Sequence, residues 1–282
     1  MSSKIYVNGS FQSLGRPALL ARDRAVLHGE AVFEGIKIVD RRPLFLEQHL
    51  ARLADSARAL EIDSPWDPET ARATMARLLD EGDPREAMAR LFLTAGERDG
   101  APVALAWIES LPPWSAPHTP PWRLLCHPER IVPYRPEVKH TSRLAHARAR
   151  RRARGAGADD ALLVHQDGWV LEGTASNVFF FEADTLHTPE VGCGILPGIT
   201  RDLVLALAPR CGFKTVEGRY PGPVLAAADE VFLSFTSAGI KPVGALDAVD
   251  LPAPVPGRRT ALLRQAYETE VARCLATTPE LG

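Results

Sequence analysis

Leu46, Leu50, Leu53, Ala57 and Leu60 recur at three- and four-residue steps, the stripe of an amphipathic helix spanning Leu46 to Leu60. Short apolar runs bounded by turn residues predict strands at Ile5 to Asn8, Ala31 to Val39 and Ala89 to Ala95. Further strands are predicted at Trp122 to His127, Asp160 to His165, Trp169 to Leu171, Val178 to Glu182 and Val231 to Phe235. Helices are predicted near Leu144 to Arg154, Thr200 to Cys211, Val224 to Ala228 and Arg258 to Leu275. Gln166-Asp167-Gly168 reads as a tight hairpin turn, and Asn8-Gly9 as another after the first strand. Between Leu111 and Trp122 stand five prolines, which rule out a helix and disfavour a central strand. The expected organisation is therefore a small N-terminal α/β domain (1–111), a Pro-rich linker (112–122) and a larger C-terminal domain (123–282). The class is α+β, with a cleft between two domains, a common place for a small-molecule site.

Composition narrows the function classes. The 282 residues are 45% hydrophobic and 24% charged, enough to bury a sizeable core. A formal net charge of -2 removes any global argument for nucleic acid or an anionic membrane as partner. The arginines at 143, 148, 150, 151, 152 and 154 read as a solvated helix face, since no aromatics interleave them. Cys126, Cys193, Cys211 and Cys274 are widely spaced and read as reduced thiols, so a cytoplasmic protein is expected. The N-terminus lacks the apolar core of a signal peptide, and no apolar run approaches the ~18 residues of a membrane helix.

Several motif readings fail. Gly155-Ala156-Gly157 comes before a strand rather than after one, so it ends a helix instead of opening a dinucleotide site. There is no G-x-S-x-G elbow or P-loop, and the eight histidines show no metal-ligand spacing, so no metal site is expected.

One constellation remains. Lys139 is one of only five lysines; Glu172-Gly173-Thr174-Ala175-Ser176-Asn177 follows it, and Leu196-Pro197-Gly198-Ile199-Thr200 opens a helix. Pyridoxal phosphate needs an amine for its aldehyde, a carboxylate for its ring nitrogen and helix-start amides for its phosphate, and these segments offer all three. Together with His28 to Lys37 and His49-Leu50-Ala51-Arg52-Leu53, they resemble, in order and spacing, the class IV (fold type IV) pyridoxal phosphate enzymes. That family holds branched-chain and D-amino acid aminotransferases, (R)-amine transaminases and aminodeoxychorismate lyases. The resemblance runs from Ile5 to about Val271 and implies a β-barrel-like C-terminal domain with helices, the cofactor in the interdomain cleft, and at least a homodimer.

The resemblance also implies roles. Lys139 would form the internal aldimine and then shuttle the substrate α-proton, which requires its neutral amine. Glu172 would pair with the pyridine nitrogen, with Ser176 and Asn177 close to the ring and Leu196 against one face. The phosphate would be held by Arg52, by Ile199 and Thr200 at the helix start, and by Thr236 with Ser237. Phe33, Lys37, Arg90 and Arg143 are the candidate substrate residues, Arg90 for a substrate carboxylate.

The reaction class rests on the same residues. Phe33-Glu34-Gly35-Ile36-Lys37 is similar to the branched-chain aminotransferase signature, but Met88 and Leu144 stand where tyrosines are expected. Ala95 replaces the carboxylate-trapping arginine of D-amino acid aminotransferases, while Leu27-His28 is similar to the entry of (R)-amine transaminases. Lys139-His140-Thr141-Ser142-Arg143-Leu144 resembles the lysine segment of the lyases, yet Glu34 and Gly35 occupy the place of their catalytic threonine. A transaminase acting on a hydrophobic amino acid, or on an amine, and a 2-oxo acid is the expectation, with the D-amino acid, (R)-amine and lyase activities as alternatives. A binding protein that kept the fold without the chemistry would have lost the lysine or the phosphate contacts, and neither is lost.

Overall fold

The computed structural model describes residues 4–80, 84–111, 120–252 and 254–282. The chain forms two compact units, one of Met1–Ala116, Val138–Ser142 and Val271–Gly282, the other of Pro117–Glu137 and Arg143–Glu270. The expected linker falls largely on residues 112–119, which lie outside the described residues.

The first unit is built on a six-stranded antiparallel sheet, in the order Ser10–Ser13, Lys4–Val7, Val103–Ser110, Glu86–Thr94, Ala31–Val39, Arg42–Pro43. Strand alternation sends Val32, Ile36 and Ile38 to one face. They join Leu46, Leu50, Leu53 and Ala57 of helix Leu46–Ala59 and Met75, Leu78 and Leu79 of helix Pro68–Leu79 in one core. The second of these helices was absent from the sequence expectation although its start is well marked. Asp67 Oδ1 caps it by accepting from the Thr70 amide at 2.8 Å, and Pro68 takes the first turn, where a missing N–H costs nothing.

The two units are discontinuous in sequence, and that changes the placement of Lys139. The expected division assigned Lys139 to the second domain, whereas Val138–Ser142 packs into the first unit. Backbone pairing is the reason. Phe33 N–H donates to the Lys139 carbonyl at 3.0 Å, Thr141 N–H donates to Ala31 at 2.9 Å, and Val32 bridges His140 antiparallel. The segment extends the edge of strand Ala31–Val39.

The second unit holds a nine-stranded mixed sheet. Its order is Lys214–Gly218, Thr185–Pro189, Asn177–Glu182, Glu230–Phe235, Gly239–Leu246, Trp122–Cys126, Asp160–Val164, Val170–Gly173, with Val249–Asp250 paired to Gly239–Leu246. The sheet curls until Val170–Gly173 returns beside Asn177–Glu182, the barrel-like form expected of this half. Phe180, Val231, Leu233 and Val243 fill one core, and Ala149, Ala153, Leu163 and Leu171 fill a second beneath helix Leu144–Gly155. Helix Ile199–Leu207 stops short of the expected Cys211 because Pro209 cannot continue it; a 3-10 turn, Pro209–Cys211, follows. Among the described residues no helix is long and apolar enough to cross a membrane.

Candidate active site

In the first unit the chemistry lies on both faces of one strand. Glu34 of Ala31–Val39 points among the core residues and is fully buried. Its carboxylate accepts from Arg52 Nε at 2.6 Å and Nη2 at 2.9 Å, a forked contact, and from His49 Nδ1 at 2.8 Å. Helix Leu46–Ala59 brings both partners to it, since His49 and Arg52 are three residues apart on one side. Burial alone raises the Glu34 pKa, but the charges and hydrogen bonds of Arg52 and His49 outweigh it and bring it down to about 2. Burial lowers His49 from its ordinary value, against the pull of Glu34, so the ring is neutral at pH 7. Arg52 is thereby fixed in one orientation as a permanent cation.

The opposite face carries Phe33, Gly35 and Lys37, with Phe92, Arg90 and Met88 directly across on Glu86–Thr94. The Lys139 amine stands 4.8 Å from the Phe33 ring centroid, and the Lys139 N–H donates to Ser56 Oγ at 3.1 Å, which anchors its backbone to helix Leu46–Ala59. Phe33 stacks on Phe92 at 5.1 Å and Phe92 on Trp107 at 4.9 Å. Beside this aromatic row lies the Arg90 guanidinium, over Gly35. A Cβ on Gly35 would come within 2.9 Å of Arg90 Nη1 and 3.2 Å of Met88 Sδ, so the glycine makes room for the arginine. Amine, apolar row and cation thus share one face of one sheet.

Lys37 departs from expectation. It was a candidate substrate residue, but it is 1% exposed and its Nζ pairs with Glu86 at 2.9 Å inside the sheet. Burial lowers its pKa, while Glu86 pulls the other way. A lysine so enclosed is a structural ion pair, because pulling it out would strand a buried carboxylate.

In the second unit Glu172, Ser176, Asn177 and Leu196 converge. Glu172 Oε2 accepts from Asn177 Nδ2 at 3.2 Å and from the Leu196 amide at 3.1 Å, and Asn177 Nδ2 also donates to the Leu196 carbonyl at 2.9 Å. These bonds tie strand Val170–Gly173 to the loop before helix Ile199–Leu207. Glu172 Oε1 has His146 Nε2 at 3.8 Å, too long for a hydrogen bond. Ser176 Oγ is buried and has no hydrogen-bond partner among the described residues. Glycines bring these groups close: a Cβ on Gly173 would lie 2.2 Å from Ser176 Oγ, and one on Gly198 would lie 2.1 Å from Asn177 Oδ1.

Ile199 and Thr200 open the helix behind Gly198, an N-cap position where no side chain caps the amides. The first-turn N–H groups are available to an anion, with the helix dipole behind them. Thr236 and Ser237 form the turn between strands Glu230–Phe235 and Gly239–Leu246. Arg143, a candidate substrate residue, donates through Nη2 to the Thr174 carbonyl, bracing the 172–177 loop from the start of helix Leu144–Gly155. Asp160 holds the same loop by accepting from the Thr174 hydroxyl and, at 3.2 Å, from its amide. A carboxylate with one oxygen not hydrogen-bonded, an orphaned buried hydroxyl and an uncapped helix start are what a protonated ring nitrogen and a phosphate require, so these residues fit pyridoxal phosphate.

Sequence reasoning left Glu34, His49, Ser56, Phe92, Trp107, Glu109 and Asp160 without roles. The period-2 pattern of Phe92 and of Trp107 with Glu109 could have placed them on a sheet face. For Ser56 and Asp160 no signal existed, because their partners are distant in the chain.

The family described as amino-transferase class IV matches this chain over residues 31–246. The "Putative branched-chain-amino-acid aminotransferase" of Methanocaldococcus jannaschii is 33% identical over 276 residues, covering 94% of this chain and 95% of that protein. The D-alanine aminotransferase of Bacillus licheniformis is 28% identical, covering 98% of this chain and 99% of its own length. In fold, the chain is similar to the branched-chain aminotransferase of Thermoproteus uzoniensis solved with norvaline, with a TM-score of 0.88 at 22% identity, covering 100% of both chains.

Proposed function

The chain belongs to the class IV aminotransferases and is a pyridoxal phosphate-dependent transaminase, and from that premise we propose that it moves an amino group between a hydrophobic, branched-chain-like amino acid and a 2-oxo acid. The observation that carries the substrate class is the single sheet face on which the Lys139 amine, the Phe33–Phe92–Trp107 row and Arg90 lie together. An apolar side chain has a surface to cover there, and a carboxylate has a forked cation.

Bound pyridoxal phosphate supplies an electron sink that stabilises negative charge at the substrate α-carbon. The protein's residues do the rest. Lys139 Nζ would hold the cofactor through its aldehyde and, once displaced by the substrate amine, act as the base that takes the substrate α-proton. Glu172 would accept a hydrogen bond from the protonated ring nitrogen and keep that proton in place, its Oε2 being held by Asn177 and the Leu196 amide. Leu196 and Asn177 would flank the ring, and Ser176 Oγ, unpartnered among the described residues, would be free to donate to it. The phosphate would be held by the Ile199 and Thr200 amides and the Thr236-Ser237 turn. A homodimer in the cytoplasm is the proposed assembly and place; four free cysteines agree with a reducing compartment.

The test is the visible spectrum of the protein with pyridoxal phosphate, before and after L-leucine, D-alanine or an (R)-amine. Bleaching by L-leucine and recovery with a 2-oxo acid would support the proposal. Bleaching by D-alanine or the amine alone would move it to the D-amino acid or (R)-amine series. A band that no donor bleaches would favour the lyase alternative.

A further inference from the structure

We propose that Glu109 is a specificity-determining residue that occupies Arg90 in place of a substrate carboxylate and gives way when one arrives. The inference rests on the reading of Arg90 as the carboxylate partner. Arg90 is not presented as an open cation. Glu109 Oε2 accepts from Arg90 Nε at 3.0 Å and lies 3.0 Å from Nη2, so the fork that suits a carboxylate already holds one. The other oxygen, Oε1, accepts from Trp107 Nε1 at 3.0 Å. Trp107 is the last ring of the aromatic row that begins under the Lys139 amine, so Glu109 sits where that row meets the cation.

Register produces this arrangement. Arg90 lies directly across from Gly35 on one side and from Trp107 on the other, and Glu109 follows Trp107 by two residues on the same face. About a third of each side chain is exposed, 33% for Arg90 and 39% for Glu109. The contrast with Lys37 and Glu86 on the same face is informative. That pair is 2% and 9% exposed and is locked, whereas the Arg90–Glu109 pair is wet enough to exchange one carboxylate for another. An incoming substrate carboxylate therefore competes with Glu109, and a donor lacking a carboxylate meets an arginine whose charge is already balanced.

The test uses the pyridoxal phosphate-loaded protein, Glu109→Gln and Arg90→Gln. Calorimetry measures the binding of 4-methylpentanoate, a carboxylate that cannot react, and kinetics are taken with a 2-oxo acid and with an amine donor. In Glu109→Gln the Kd for 4-methylpentanoate and the KM for the oxo acid are expected to fall roughly fivefold, the equivalent of about 1 kcal/mol. The kcat and the KM for the amine should stay within about twofold. If Arg90→Gln weakens carboxylate binding but Glu109→Gln leaves it unchanged, Glu109 is only a surface ion pair and the proposal is overturned while the Arg90 assignment stands. If neither variant alters carboxylate binding, the Arg90 assignment falls, and this proposal with it. The spectral response to amino donors reports separately on the transaminase reaction.

Discussion

The amine of Lys139 lies 4.8 Å from the ring centroid of Phe33, and the backbone of the same lysine accepts a 3.0 Å hydrogen bond from the Phe33 amide. A residue far along the chain is thus held at both ends by one strand position. The ladder bond fixes where the lysine starts, and the aromatic face limits where its amine can go.

Lys139→Ala is expected to leave a folded protein with a normal unfolding midpoint, because the lost side chain is not a core residue and the Phe33 bond uses backbone. That variant should show only the absorption of free pyridoxal phosphate, without the shifted band of the lysine imine, and no amino transfer. Full activity would remove Lys139 from the mechanism.

Glu172→Ala should still bind the cofactor and show the visible band, because the lysine is untouched. Its kcat is expected to drop by a factor on the order of a hundred to a thousand, as for the removal of one preorganised electrostatic partner. Because the Asn177 and Leu196 contacts also go, cofactor affinity should weaken as well. Unchanged kinetics would show that the ring nitrogen has another partner.

Acid should expose the Glu34 network. Burial works against ionisation here, yet Arg52 and His49 hold the carboxyl at about 2, below its ordinary 4.5. The native state binds the Glu34 proton more weakly than the unfolded chain, so this stabilisation is complete above pH 4.5 and is lost as pH falls toward 2. It amounts to about 3 kcal/mol, and the downward shift of His49 adds a loss of the same sign beginning below its ordinary value. Urea midpoints measured across this range should fall with pH in the native chain and much less in Glu34→Gln. That variant should also be less stable at pH 7 by roughly 3 kcal/mol, because a charged arginine loses its buried partner.

Gly35→Ala probes the Arg90 site without touching a charge. The new methyl would crowd Arg90 Nη1 and Met88 Sδ, both ends of flexible side chains that can move aside. Stability should therefore change by less than about 1 kcal/mol. The KM for carboxylate substrates should rise several-fold as Arg90 is displaced, at a near-constant kcat. Equal kinetics in the variant would place the substrate carboxylate elsewhere.

Much of this was legible in the residues. The helix at Leu46–Ala59, the strand at Ala31–Val39 and the cofactor segments at 172–177 and 196–200 are local patterns, and local patterns survive folding because alternation and helical period are set by neighbours in sequence. Strand Val103–Ser110 escaped notice because Val103 to Ile108 run continuously apolar, with alternation only at its end, and Gly239–Leu246 because Gly239, Lys241, Pro242 and Gly244 read as a turn.

The amino-acid sequence by itself pointed to the cofactor: a lysine, a carboxylate and a glycine-led helix start are chemical identities, and identity needs no geometry. Only the tertiary structure decided which charges are available. Lys37 and Arg90 are both basic residues on the same sheet face, yet one is sealed against Glu86 and the other rests against a half-exposed Glu109. It likewise decided that Lys139 belongs with the first unit and that Arg143 serves the Thr174 loop. Each outcome depends on pairings between positions that are distant in the chain, and burial, which sets how firmly a charge is held, is a property of the packed chain rather than of any one residue.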